Sequence, residues 1–146
     1  MNNPNPMADT ILNLRRSFNA PRPQVFRAWT EPRAIERWFK PMGMASTVSQ
    51  LDLRAGGSYC IDLLGANGAS ASISGHYVEV TPPEKLAFTW RSAETDQVET
   101  LVTLEFVQRG SATEILLTHE LLTTEEMIAM HRFGWLSMMD ELSTVF

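Results

Sequence analysis

The chain closes with Thr123-Thr124-Glu125-Glu126-Met127-Ile128-Ala129-Met130-His131-Arg132-Phe133-Gly134-Trp135-Leu136-Ser137-Met138-Met139-Asp140-Glu141-Leu142-Ser143-Thr144-Val145-Phe146. Thr123 and Glu126 match a capping box, in which a hydroxyl and a carboxylate satisfy free N–H groups at a helix start. At ~100° per residue, Ile128, His131, Trp135, Met138, Met139, Leu142 and Phe146 fall on one apolar arc, while Arg132, Ser137, Asp140 and Thr144 fall elsewhere. The pattern predicts one amphipathic helix of about twenty residues. Such a helix cannot bury its stripe alone and needs a large apolar surface to lie across.

That surface is written upstream. From about Ala45 to Leu122 the hydrophobic period is two. Five turn signals interrupt it: Ala55-Gly56-Gly57, Gly65-Ala66-Asn67-Gly68, Pro82-Pro83-Glu84, Ala93-Glu94-Thr95-Asp96 and Arg109-Gly110-Ser111. They separate six strands of an antiparallel meander. Asn67-Gly68 suits a tight two-residue hairpin turn with positive φ at both central positions. Val98, Thr100, Val102, Leu104 and Phe106 share one face of a strand, and Ile115, Leu117, His119 and Leu121 share one face of the next, so these faces are expected to meet the core. Ser70, Ser72 and Ser74 read as strand positions facing water.

Ahead of the meander, Ile11 to Phe18 alternates as a further strand. Pro21 and Pro23 suit the first turn of a short helix carrying Val25, Phe26 and Trp29, and Thr30-Glu31-Pro32 caps a second one carrying Ile35, Trp38 and Phe39, which Pro41 and Gly43 stop. The fold class is therefore α+β: a curved seven-stranded antiparallel sheet wrapped around a long C-terminal helix, with two short helices after the first strand. Residues 1–8 read as a disordered lead and residues 9–146 as a single domain.

Composition excludes several function classes. Twelve basic and seventeen acidic residues give a net charge of −5, and no basic cluster offsets it, which argues against nucleic acid as a partner. No apolar run approaches the ~20 residues of a membrane span. The single cysteine, Cys60, allows no internal disulfide and suits a reducing compartment. With no secretion signal at the N-terminus, the cytoplasm is the expected location. The three histidines, His76, His119 and His131, lack metal-site spacing, so neither a metal nor another cofactor is expected. Gly56-Gly57 precedes a strand and reads as a turn, not as a phosphate loop.

The element order resembles the helix-grip fold of the START-like (SRPBCC) superfamily. Phe18-Asn19-Ala20-Pro21, Val25-Phe26-Arg27-Ala28-Trp29-Thr30-Glu31-Pro32, Leu51-Asp52-Leu53-Arg54-Ala55-Gly56-Gly57, Pro82-Pro83-Glu84-Lys85-Leu86-Ala87-Phe88-Thr89-Trp90, Leu117-Thr118-His119-Glu120 and Gly134-Trp135 are similar to the branch named for the activator of heat-shock-protein-90 ATPase. The resemblance spans roughly residues 11–146. It implies either a binder of a small apolar ligand held between sheet and helix, or a co-chaperone-like module that contacts a chaperone ATPase. A cyclase or hydrolase with a pocket histidine is the enzymatic alternative.

The candidate ligand-binding residues are Trp38, Tyr59, Tyr77, Trp90, Phe106, His119, His131, Trp135 and Met138. Aromatic and methionine side chains here either fill the core or line an adaptable apolar wall, and His119 and His131 are either buried structural histidines or polar anchors for a ligand. Gly134 inside the last helix needs a compensation for its ~1 kcal/mol, from close packing or from spare pocket volume. Met130, Phe133 and Leu136 lie off the core arc and, if exposed, offer an apolar patch that a homodimer contact, a pocket rim or the sheet would explain.

Overall fold

Leu12–Phe18 forms β1, which pairs antiparallel with the last strand of the chain, and this pairing sets one edge of the sheet. In the computed structural model, which describes residues 11–146, β1 is followed by α1 (Arg22–Ala28), α2 (Pro32–Trp38) and a 3-10 turn at Pro41–Gly43. The strands β2 (Ala45–Leu51), β3 (Ser58–Leu64), β4 (Ser70–Thr81), β5 (Lys85–Trp90), β6 (Thr100–Arg109) and β7 (Ala112–Glu120) come next, and α3 (Glu125–Ser143) follows. All seven strands form one antiparallel sheet in the order β1-β7-β6-β5-β4-β3-β2. Each of the five turn signals separates two of the six meander strands. The lead over residues 1–8 lies outside the described residues.

The sheet bends at β4. Its first half pairs with β3 over Ser70–His76 and its second half with β5 from Tyr77, with a register shift between Tyr77 and Glu79. At the corner, a Cβ on Gly75 would run into the Thr89 carbonyl oxygen, so only glycine lets the two strands approach this closely. β2 carries a second shift between Val48 and Gln50. Bulges of this kind increase twist and curve the sheet around what it encloses.

Helix α3 starts where the side chain of Thr124 accepts the Met127 N–H at 3.0 Å, and Glu125 and Glu126 occupy the first turn, where the helix dipole favours negative charge. The cap is therefore Thr124, one residue later than the sequence pattern indicated, and Thr123 instead directs its hydroxyl to the Met127 sulfur. The nineteen residues run for about 28 Å. His131, Trp135, Met138, Met139 and Leu142 are buried on one face, as the helical wheel required, while Phe146 lies beyond the helix end. The helix leans on β1, on α2 and on the 3-10 turn at Pro41–Gly43. Arg16 and Asp140, 2.7 Å apart, tie β1 to its outer side, a surface pair worth only a few tenths of a kcal/mol.

Further local readings are corrected. Val98 and Leu121 are half-exposed, 50% and 49%, rather than core-facing. Val98 precedes β6, and Leu121 adopts φ 68, which turns the chain so that Leu122 is buried in its place. Asn67-Gly68 is not a two-residue turn. Gly68 N donates to Gly65 O and Gly65 N to Ala69 O, with positive φ at Gly68 alone, so a three-residue loop closes the hairpin. The cap of α2 is Glu31 without a side-chain bond, because the Thr30 hydroxyl donates to Phe26 O at 3.0 Å. Ser74 is half-buried, 3.4 Å from Arg91, whereas Ser70 and Ser72 face water as expected.

Candidate functional site: a cleft beside the last helix

The volume under α3 is divided in two. Deep between helix and sheet, Trp29, Trp38, Tyr59, Tyr77, Trp90 and Trp135 leave a void of only about 30 Å³, room for a water or two. Three contacts close it: the rings of Trp29 and Trp38 are 4.5 Å apart, those of Trp90 and Trp135 5.0 Å, and those of Tyr59 and Tyr77 5.7 Å. Trp38 donates its indole N–H to Ala28 O at 2.9 Å, and Tyr59 its hydroxyl to Thr89 O at 2.5 Å. The Tyr59 and Tyr77 hydroxyls are pushed well above their ordinary pKa by burial, so both stay neutral.

Nearer the surface a cleft of about 270 Å³ opens between the middle of α3, the 3-10 turn at Pro41–Gly43, β4 and the segment after β5. Small residues border it: Gly134 from the helix, Ala71 and Ser72 from β4, Ser92 and Ala93 after Trp90. Around them stand Met42, Met44, Met130, Phe133 and Met138. Phe133, Met130 and Met42 are 73%, 44% and 79% exposed, so the rim presents apolar surface to solvent. A Cβ on Gly134 would meet nothing within 4 Å, which settles its compensation in favour of free volume. Gly134→Ala is therefore expected to raise stability by up to about 1 kcal/mol, read as a higher urea midpoint at unchanged m-value; a fall in the midpoint would contradict the open geometry.

Of the candidate ligand-binding residues, Trp90, His131, Trp135 and Met138 line this cleft; Trp38, Tyr59 and Tyr77 line the inner void, which Trp90 and Trp135 also touch. Phe106 and His119 line neither. Phe106 packs edge-on against Phe26 of α1 at 5.2 Å. His119 is fully buried, with Trp135 Nε1–H donating to its Nδ1 at 3.1 Å and its Nε2 lying 2.8 Å from Thr100 Oγ1. Because an indole only donates, Nδ1 is the acceptor and Nε2 carries the hydrogen, which passes to Thr100, whose own hydroxyl donates to Trp90 O at 2.7 Å. Every site on the ring is engaged. Burial, and secondarily His131, lowers its pKa to about 3, so it is neutral.

His131 is different. Its Nδ1 lies 2.7 Å from Met127 O, while Nε2 is buried without a partner, as is Trp90 Nε1. An orphaned buried polar atom costs about 1–3 kcal/mol. Burial lowers the His131 pKa, against smaller opposing effects of the Met127 carbonyl and of Glu94 at the cleft edge. Neither His119 nor His131 has a carboxylate hydrogen-bond partner, and no cluster of metal-ligating side chains occurs, among the described residues.

The model of a protein family described as activator of Hsp90 ATPase homolog 1-like, AHSA1, matches residues 19–146. The chain belongs to the AHSA1 family. Solved structures agree on the fold of this AHSA1 domain. A Chromobacterium violaceum protein, 24% identical, superposes with a TM-score of 0.85 over 93% of this chain and 96% of its own. A Rhodobacter sphaeroides protein at 23% identity gives 0.83 over 97% and 94%. An AHSA1 protein of Silicibacter pomeroyi at 24% identity gives 0.80 over 92% and 95%. No match is found among curated proteins. The helix-grip, START-like architecture expected from the sequence is thus the fold of the AHSA1 domain, and no helix among its described residues is long and apolar enough to cross a membrane.

Met130 and Phe133 of the cleft rim lie in the apolar patch that the sequence offered, but the opposite side of the rim in this AHSA1 domain was not legible there. Pro41-Met42-Gly43-Met44 read only as a helix stop, yet it supplies three lining residues, with Met42 at φ 55. Two methionines flanking a glycine just after an aromatic helix end were the available signal. Ala71 and Ala93 carried none.

Proposed function

We propose that the domain binds a small, mostly apolar molecule in the 270 Å³ cleft beside α3. The observation that carries this reading is the cleft itself: apolar walls, a methionine rim exposed to solvent, and two buried polar atoms left without partners. An apolar cavity of ~150 Å³ takes one benzene ring, so this one has room for a bicyclic ligand. Removing ~200 Å² of ligand surface from water contributes about 5 kcal/mol before the cost of immobilising the ligand, which places affinity for a purely apolar probe in the weak range. A cytoplasmic setting suits the unpaired Cys60.

The test is native mass spectrometry with naphthalene, indole and biphenyl, together with tryptophan fluorescence, since Trp90 and Trp135 line the cleft. A one-to-one complex and saturable quenching of tryptophan emission are expected. Absence of any bound species at the solubility limit of all three overturns the proposal.

The family description favours a second reading, a co-chaperone-like module acting through its surface. The exposed Phe133, Leu136 and Met130 on α3 would supply apolar contacts to such a partner. That reading requires stimulated turnover of a chaperone ATPase by the purified domain, and it fails if turnover stays at the basal rate at saturating domain.

A further inference from the structure

The two unpartnered nitrogens belong to residues of the cleft wall and are of opposite kind. Trp90 Nε1 carries a hydrogen that no group in the described structure accepts. For His131, the Met127 carbonyl 2.7 Å from Nδ1 is an acceptor only, so Nδ1 carries the ring hydrogen and Nε2 of the neutral ring presents a lone pair. The two ring centres are 6.4 Å apart with the planes at 72°. Both nitrogens of His119 are engaged, and the Tyr59 hydroxyl hydrogen goes to Thr89 O. The charged side chain among the cleft-lining residues is Glu94, which repels an anion.

We infer that the ligand carries a hydroxyl group, an alcohol or a phenol, whose oxygen accepts from Trp90 Nε1–H and whose hydrogen is donated to His131 Nε2. This rests on the cleft being the ligand site. One hydroxyl oxygen is a donor and an acceptor at once, and two bonds of ~2.9 Å at a near-tetrahedral angle let it bridge nitrogens ~4.7 Å apart. An ether or ketone only accepts, an ammonium only donates, and a carboxylate accepts while adding a charge next to Glu94. Neither nitrogen touches solvent, so the hydroxyl enters as the wall gives, and Met130 and Met138, which share that wall, are of the residue type that repacks most readily. Pairing relieves two orphaned groups together, which is the situation in which a polar site discriminates strongly against an analogue lacking the group.

Matched probes of one shape test this: naphthalene, 2-methoxynaphthalene and 2-naphthol, each titrated by calorimetry into the wild-type protein and into His131→Phe and Trp90→Phe. The wild type is expected to bind 2-naphthol about 10-fold or more tightly than either of the other two. In His131→Phe the preference for 2-naphthol over 2-methoxynaphthalene is expected to vanish while naphthalene binding persists. The wild-type comparison stands even if a buried variant fails to fold. Equal binding of all three probes overturns the hydroxyl inference and leaves the cleft proposal intact. Equal binding of 2-naphthol and 2-methoxynaphthalene, both above naphthalene, overturns the His131 half and with it the bridging hydroxyl. Binding of none overturns both proposals.

Discussion

Replacing Trp135 by alanine is expected to remove about 3–5 kcal/mol of folding stability, which lowers the melting temperature by on the order of 10–15 °C. Trp135 is 1% exposed and packs between helix and sheet: its ring is 5.0 Å from Trp90, 6.0 Å from Trp29 and 6.2 Å from His119. Truncation removes the largest buried side chain of α3 and joins the inner void to the cleft, because Trp135 lines both. It also leaves His119 Nδ1 without its donor. Trp135→Phe separates these effects. It keeps most of the ring and loses the N–H, so about 1–3 kcal/mol is expected from the orphaned acceptor. Urea unfolding of the two variants checks both values, and a loss under 1 kcal/mol for Trp135→Ala would show that the helix is held elsewhere.

Acidification is expected to destabilise the protein well before most of its carboxylates titrate. In the fold, burial and the neighbouring His131 lower the His119 pKa from 6.5 to about 3. Between those values the unfolded chain holds a proton that the folded chain does not. Stability is therefore fully present above pH ~6.5 and falls as the pH drops, by about 1.4 kcal/mol per unit, or about 2 kcal/mol by pH 5. His131, lowered in the same direction, adds to the loss. His119→Gln keeps a donor and an acceptor for Thr100 and Trp135 but does not titrate, so its stability is expected to change less between pH 7 and pH 5 than that of the wild type. Identical pH dependence of the two proteins would contradict a neutral, buried His119.

The order of the elements was readable because periodicity reports which face meets the core, and here the core is continuous from β1 to α3. Ile115, Leu117 and His119 obey strict alternation for that reason. The pattern failed where the backbone leaves the regular conformation. Leu121 at positive φ inverts the alternation, so Leu122 rather than Leu121 is buried, and no residue nearby announces the change. The site was legible only in part for a similar reason. His131, Trp135 and Met138 follow from the helical wheel, but whether an inward side chain lines space or fills it depends on what stands opposite. Trp38, Tyr59 and Tyr77 meet other aromatic rings and enclose almost nothing, whereas Gly134 and Met138 face alanine and serine and border a cleft. Those distances between remote segments are set by the bend at Gly75 and by the 3-10 turn, neither of which is a local property of the residues that line the site.

Six of the eight methionines make the location of a ligand directly observable. Met42, Met44, Met130 and Met138 border the cleft, while Met127 and Met139 lie on the same helix as two of them and do not. Titration of methyl-labelled protein with indole is predicted to shift the methyl resonances of Met42, Met44, Met130 and Met138 along one saturable curve and to leave Met139 in place. Shifts confined to Met127 and Met139, or no saturable shift at any cleft methionine, would contradict a binding site between the helix and the 3-10 turn.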